Sequence, residues 1–170
     1  MSVNGTDDLD KKLKQLAEYD MMHAVSDAIQ LVRSAAVNNC SVNTGELRQS
    51  IFADVEGNSE KAEGICWTNK AYAPYVEFGT GPVGQAAGLK IDGIDLAYRQ
   101  TPWMIPVGKI DKSTAEKYRF IPIKEDGEVI GYLTRGQAPQ PFLYPAMKNN
   151  EDHIVETLKT AVRMESKINR

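Results

Sequence analysis

Two cysteines, Cys40 and Cys66, and two histidines, His23 and His153, are all that 170 residues contain. A disulfide scaffold needs a denser cysteine framework, and a structural zinc site needs closely spaced Cys/His pairs, so neither class fits. No apolar run approaches the roughly 20 residues of a membrane-spanning helix. Charge of one sign is also scarce: the formal net charge is -3 and the sequence pI is near 5.5. A dedicated nucleic-acid binder neutralises phosphates with a basic excess, which is missing. Residues 1–8 lack the basic and apolar regions of a secretory leader. What is present is 42% apolar and 25% charged residues, the balance of a globular protein able to bury a core. The length suggests a single domain, 1–170. The expectation is a soluble, reduced, intracellular domain with few groups for catalysis, no cofactor and no metal.

Along the chain, Asp7 and Asp8 provide an N-cap and negative charge for a helix over 8–38. Val25, Ala28, Ile29, Val32, Ala35 and Ala36 recur on one face of it. Leu9, Leu13 and Leu16 fall on another phase, so the helix is expected either to bend or partly to leave the core near Tyr19-Asp20. Asn43 stands three residues before Glu46, a capped-turn spacing, and feeds a strand over 47–56 with Ile51, Ala53 and Val55 on one face. A turn at Gly57-Asn58-Ser59-Glu60 returns the chain into a strand over 61–68, with Ile65 and Trp67 on one side and Cys66 on the other. Pro74 suits the first turn of a short helix that Gly79 ends. The segment 82–112 reads as a long loop, and Ser113 to Glu116 has capping-box spacing. Strands at 118–124 and 129–134 flank Asp126-Gly127, a type I′ hairpin signal, and Pro122 places its strand at an edge. Ile154, Val155, Leu158, Ala161 and Val162 form the stripe of a C-terminal helix within 140–168.

There is no internal repeat. The element order predicts an α+β fold, an antiparallel sheet packed by a long N-terminal helix and a C-terminal helix. The region 42–81 would form a hairpin and turn, and 82–136 an inserted loop and hairpin.

Few constellations could carry chemistry. Gly79-Thr80-Gly81-Pro82-Val83-Gly84 matches G-x-G-x-x-G, so a small nucleotide-binding enzyme is the alternative function. The motif lacks the preceding buried strand, and Gly88 and Asp92-Gly93 interrupt the helix that should follow. Asp92, Asp95 and Asp111 do not have EF-hand spacing and read as solvated carboxylates. Both histidines fall on predicted helices, which leaves Cys40 and Cys66 without an evident base. Arg48 and Glu77 are charges inside otherwise apolar or small-residue segments. They are either two unrelated surface charges or a pair fixing one turn against the Tyr-rich segment.

Three blocks stand out together: Val42-Asn43-Thr44-Gly45-Glu46-Leu47-Arg48-Gln49-Ser50-Ile51, Ala71-Tyr72-Ala73-Pro74-Tyr75-Val76-Glu77-Phe78-Gly79-Thr80-Gly81, and Gln140-Pro141-Phe142-Leu143-Tyr144-Pro145-Ala146. In this order, between two helices, they resemble the HK97 gp10-like family of tailed-bacteriophage neck and tail-completion proteins. That family's pattern runs P-V-D-T-G-x-L-R-x-S-I, Y-A-x-Y-V-E-F-G-T and Q-P-F-L-x-P-A. Ser41 and Asn43 depart from its Pro and Asp, and both suit a turn.

The resemblance implies a virion structural protein that joins head and tail, with no catalytic residues. It implies a homo-oligomeric ring, taken as a hexamer. The neighbours would be head-closure or connector proteins and tail-terminator or tail-tube proteins. DNA would pass the lumen without specific binding, and no membrane would be involved. The protein would be assembled in the bacterial host cytoplasm and reside in the virion. Thr44 and Gly45 would set a turn. Leu47, Ile51, Phe78 and Phe142 would bury their side chains. Tyr72, Tyr75 and Glu77 would be placed by the turn before Gly79, with Arg48, Thr80 and Pro145 completing the fold and ring-interface motif. Trp103, Met104 and Ile105 put apolar anchors on the long loop, a device for docking a partner.

Overall fold

The computed structural model describes residues 6–41, 45–57 and 61–168. They fall into two compact units, one running to Lys70 and resuming at Phe142, the other Ala71–Pro141. The fold class is α+β.

In the first unit, α1 spans Thr6–Asn39 as one uninterrupted helix, with no break near Tyr19. Its buried positions are Ala24, Val25, Ala28, Ile29, Val32 and Ala36, followed by Cys40, the face that the 3.6-residue period marks. Leu9 of the earlier stripe is 58% exposed, and the side chains of Leu13 and Leu16 lie outside the described residues. The helix covers a hairpin of β1 (Ile51–Gly57) and β2 (Ala62–Thr68), paired antiparallel from Ile51 opposite Thr68 to Gly57 opposite Ala62. Period-2 alternation turns Ile51, Ala53 and Val55 towards α1 together with Thr68, Cys66 and Gly64. Close approach of helix and sheet requires glycine at 64, where a Cβ would lie 3.0 Å from the Ile29 Cβ. Arg33 Nε donates to the Ile51 carbonyl at 2.9 Å and ties the helix to the start of β1.

The strand expected from residue 47 begins only at Ile51. Glu46–Gln49 is a helical turn, α2, because Gly45 takes φ 83° and the Ser50 amide donates back to the Glu46 and Leu47 carbonyls. Leu47 and Ile51, four apart, are both buried, a helical spacing that strand alternation also accommodates. The cap expected from Asn43 and the turn role of Thr44 lie outside the described residues, as do positions 58–60 of the expected turn.

The C-terminal helix is two helices, α6 (Leu143–Lys148) and α7 (Glu151–Ile168). The Asn150 amide side chain donates to the Ala146 carbonyl at 2.8 Å and replaces a helical backbone bond there. Both helices pack on α1. Ile154, Leu158 and Ala161 are half-buried, Val155 is exposed, and the Val162 side chain lies outside the described residues.

The second unit contains α3 (Ala73–Phe78), α4 (Gly81–Ala86), β3 (Trp103–Pro106), α5 (Lys112–Lys117), β4 (Ile121–Glu125) and β5 (Glu128–Thr134). The strands form their own antiparallel sheet in the order β3-β5-β4. Among the described residues the strands thus form two separate sheets, and the segment expected as a loop carries α4 and the edge strand β3. Asp126 and Gly127 have φ 49° and 86°, the two left-handed residues of a type I′ turn. Pro106 and Pro122 both sit on edge strands, where a missing N–H costs no ladder bond.

Asp111, rather than Ser113, caps α5: its carboxylate accepts from the Thr114 amide at 2.8 Å. Hydrogen bonds from the Ser113 and Thr114 hydroxyls, then the Thr114 amide, hold the Asp111 carboxyl well below the usual Asp range. A folded-state value below the unfolded one stabilises above the ordinary Asp pKa and loses that contribution as pH falls through the folded value. Acidification below about pH 4 is therefore expected to loosen α5. Hydrogen exchange at Thr114 checks this, and Asp111→Asn should flatten the response.

The strand expected from Tyr118 starts at Ile121 because α5 ends in a Schellman motif. The Arg119 amide donates to the Glu116 carbonyl at 3.0 Å and the Phe120 amide to the Ala115 carbonyl at 2.9 Å. Arg119 occupies the left-handed position usually given to glycine, with φ 56°. Arg119→Gly is expected to raise unfolding free energy by about 1 kcal/mol, measured by urea denaturation.

Candidate functional site

The second block opens on α3. Pro74 occupies its first turn, Ala73 and Glu77 are buried, and Tyr72 and Tyr75 point to solvent, Tyr75 at 60% exposure. Phe78 is half-buried. Gly79 has φ 74°, and a Cβ there would lie 2.7 Å from both the Gln137 carbonyl oxygen and the Pro139 nitrogen. Thr80 and Gln137 exchange backbone bonds, Thr80 N to Gln137 O at 2.9 Å and Gln137 N to Thr80 O at 3.2 Å. The Gln137 side-chain amide reaches the Tyr75 carbonyl at 3.0 Å, and the Gln140 amide reaches the Val76 carbonyl at 2.8 Å. The second block and the beginning of the third are therefore one backbone clasp, 75–84 against 135–140.

This clasp settles what the G-x-G-x-x-G loop does. The amides of Thr80, Val83 and Gly84 donate to the carbonyls of Gln137, Arg135 and Thr80. A phosphate cradle needs such amides aimed outward at a ligand. Nucleotides are expected to leave the melting temperature unchanged, and a ligand-dependent rise in a thermal-shift assay would contradict this.

The remaining motif residues lie in the first unit. Leu47, Ile51 and Phe142 are buried, the last two at 0% exposure, and the Asn39 side chain donates to the Phe142 carbonyl at 3.4 Å. Pro145 stands within α6, next to the fully buried Ala146. Arg48 is half-buried on α2, where Nη2 donates to the Cys40 carbonyl at 2.9 Å and Nε is buried without a hydrogen-bond partner. Glu77 is only 4% exposed. Neither charge is a plain surface group.

Trp103 and Ile105 are half-buried on β3, and Met104 between them is 46% exposed. The Trp103 ring packs on Gly81, where a Cβ would come within 2.9 Å of it, and the Arg99 guanidinium lies 5.3 Å from its centroid. These anchors are on an edge strand, paired to Thr134, Leu133 and Tyr132, rather than on a loop.

Burial pushes the Cys66 thiol up, and the Arg33 charge offsets this only in part, so the thiol stays protonated and weakly nucleophilic. Cys40 is buried. His23 and His153 are exposed on α1 and α7, and Asp92 and Asp95 are exposed too. Among the described residues, no three His, Cys, Asp or Glu side chains group as a metal site, and no helix is long and apolar enough to cross a membrane.

Sequence motifs did not point to two further surfaces. One is the outer side of the β1–β2 hairpin, where Phe52 and Trp67 pair across the strands with ring centroids 5.0 Å apart and ring planes tilted by 40°. The other is an open cleft of about 460 Å³ in the second unit, between the end of α5 and the end of β5. Period-2 alternation marks the hairpin's outer side in retrospect. The cleft draws on residues from Val83 to Gln140 that only the fold brings together.

The motif residues thus serve mostly as core, turn and clasp, the use expected of a structural component. Residues 6–79 match the model of the HK97-gp10-like family, whose description reads "Bacteriophage HK97-gp10, putative tail-component". Over these residues, α1 to α3, the chain is similar to that family of bacteriophage tail components, the family its first two blocks resemble. The third block and the clasp partner 135–140 lie beyond the matched residues. No curated protein and no solved structure matches the chain.

Proposed function

We propose that this tail component is a neck or tail-completion protein, a homo-oligomeric ring that joins head to tail. The observation that carries the reading is the family match over residues 6–79 combined with motif residues committed to core and clasp. The ring reading takes a hexamer. Its neighbours are a head-closure or connector ring on one side and a tail-terminator or tail-tube ring on the other. The exposed Tyr72, Tyr75 and Met104 are the side chains it offers to them. The mildly acidic chain lets DNA pass the lumen without gripping its phosphates. The protein has no catalytic task in this reading.

Antibody labelling of intact virions tests the placement. Label at the head–tail junction, with about six copies per particle by quantitative mass spectrometry, is expected. Label spread along the tail shaft, absence from virions, or a single copy per particle would contradict it.

A further inference from the structure

We propose that copies of this chain associate head to tail, the outer face of the β1–β2 hairpin of one copy seating in the basic cleft of the next. This rests on the ring reading and assigns it an interface.

The hairpin face is apolar and acidic at once. Phe52, Ile65 and Trp67 are exposed on it, alternating with Asp54, Glu56 and Glu63. Trp67 Nε1 donates to Asp54, which fixes the ring upright beside Phe52. Glu56 and Glu63 stand directly opposite each other across the strands, a like-charge pair that disfavours the isolated hairpin. Lys61 bonds Glu63, and the face still carries a net negative charge. Two such faces repel, so a copy cannot pair with another through this surface symmetrically.

The cleft has the opposite character. Tyr118, Ile121 and Leu133 give it an apolar lining, and Ile121 is 61% exposed. Lys117, Arg119 and Arg135 surround this lining, all three exposed and in no ion pair among the described residues. Arg119 is held at this rim in a left-handed conformation that glycine would adopt without strain. Retained strain of this kind is characteristic of binding surfaces.

An acidic aromatic face and a basic apolar cleft on one chain are complementary to each other and not to themselves. Such a contact is heterologous, and when its rotation closes it generates a ring. Charge at its rim sets orientation and rejects the wrong pairing, so association should weaken with added salt.

Sedimentation velocity of the full chain, from micromolar to millimolar concentration, tests this with two double variants. Glu56→Lys with Glu63→Lys reverses the face, and Arg119→Glu with Arg135→Glu reverses the cleft. All four positions are exposed, and circular dichroism verifies folding. Each variant alone is expected to need about a hundredfold higher concentration to associate than the native chain. An equimolar mixture is expected to recover native association, because native face meets native cleft at one joint and reversed face meets reversed cleft at the next. Variants that associate like the native chain would overturn the interface and leave the ring in place. A mixture that fails to recover, or a native chain monomeric throughout, would overturn the interface too. Failure of the ring itself is read separately, from copy number in virions.

Discussion

Gly136→Ala is expected to abolish cooperative folding of residues 71–141. Gly136 has φ 96°, a conformation that an alanine Cβ strains by about 1–2 kcal/mol. The added Cβ would also stand inside the van der Waals envelope of the Thr80 carbonyl oxygen, with the Gly81 Cα 3.0 Å away. Backbone cannot swing aside as a side chain can. Thr80 is held by Gln137, and Gly136 itself donates to Thr134 Oγ1 at 3.0 Å. The strain and the clash together should cost at least about 3 kcal/mol. Gly93→Ala is the control, with φ 77° and open space around its Cα, so it carries the strain without the clash. Urea denaturation should rank Gly136→Ala well below Gly93→Ala. Hydrogen exchange should show lost protection first at Thr80, Val83 and Gly84.

Phe142→Ala should destabilise the chain by about 3–5 kcal/mol. The Phe142 ring is fully buried in the first unit, and α6, which packs on α1, begins one residue later. Truncating it leaves a cavity lined by side chains that cannot all collapse inward. The matching control is Leu9→Ala, which removes a side chain of similar size from a 58% exposed position and should change stability by no more than about 0.5 kcal/mol. The Gly136→Ala and Phe142→Ala losses fall in different units, so each reports on its own part of the molecule.

What was legible in the sequence was what short-range physics determines. The apolar stripe of α1 needs only a 3.6-residue period, and the β4–β5 turn needs only Asp-Gly between two strands. Where two local signals competed, sequence reasoning chose wrongly. Leu47 to Ile51 satisfies helix and strand spacing alike, and the left-handed Gly45 favours the helical turn. Asp111 and Ser113 both offer a cap two residues apart, and the aspartate, with three hydrogen bonds to its carboxylate, takes the position.

What stayed illegible was long-range. Nothing near Thr80 announces Gln137, 57 positions away, although the two exchange hydrogen bonds. The flanks of the G-x-G-x-x-G spacing argue against a ligand loop, but they do not reveal that its glycines serve close passage of one backbone past another. The candidate site was half visible on the same grounds. Leu47, Ile51 and Phe142 could be read as core from their apolar character. The burial of Glu77 and the exposure of Tyr75 follow from how α3 is rotated, which no short motif encodes.

The central proposal is that this protein joins phage head to tail. Its most direct test is to delete the gene from the phage or prophage that encodes it and image the lysate by electron microscopy. The expected result is DNA-filled heads and finished tails lying apart, with joining and infectivity restored by the native chain supplied in trans. Normal infectious particles from the deletion would contradict the claim.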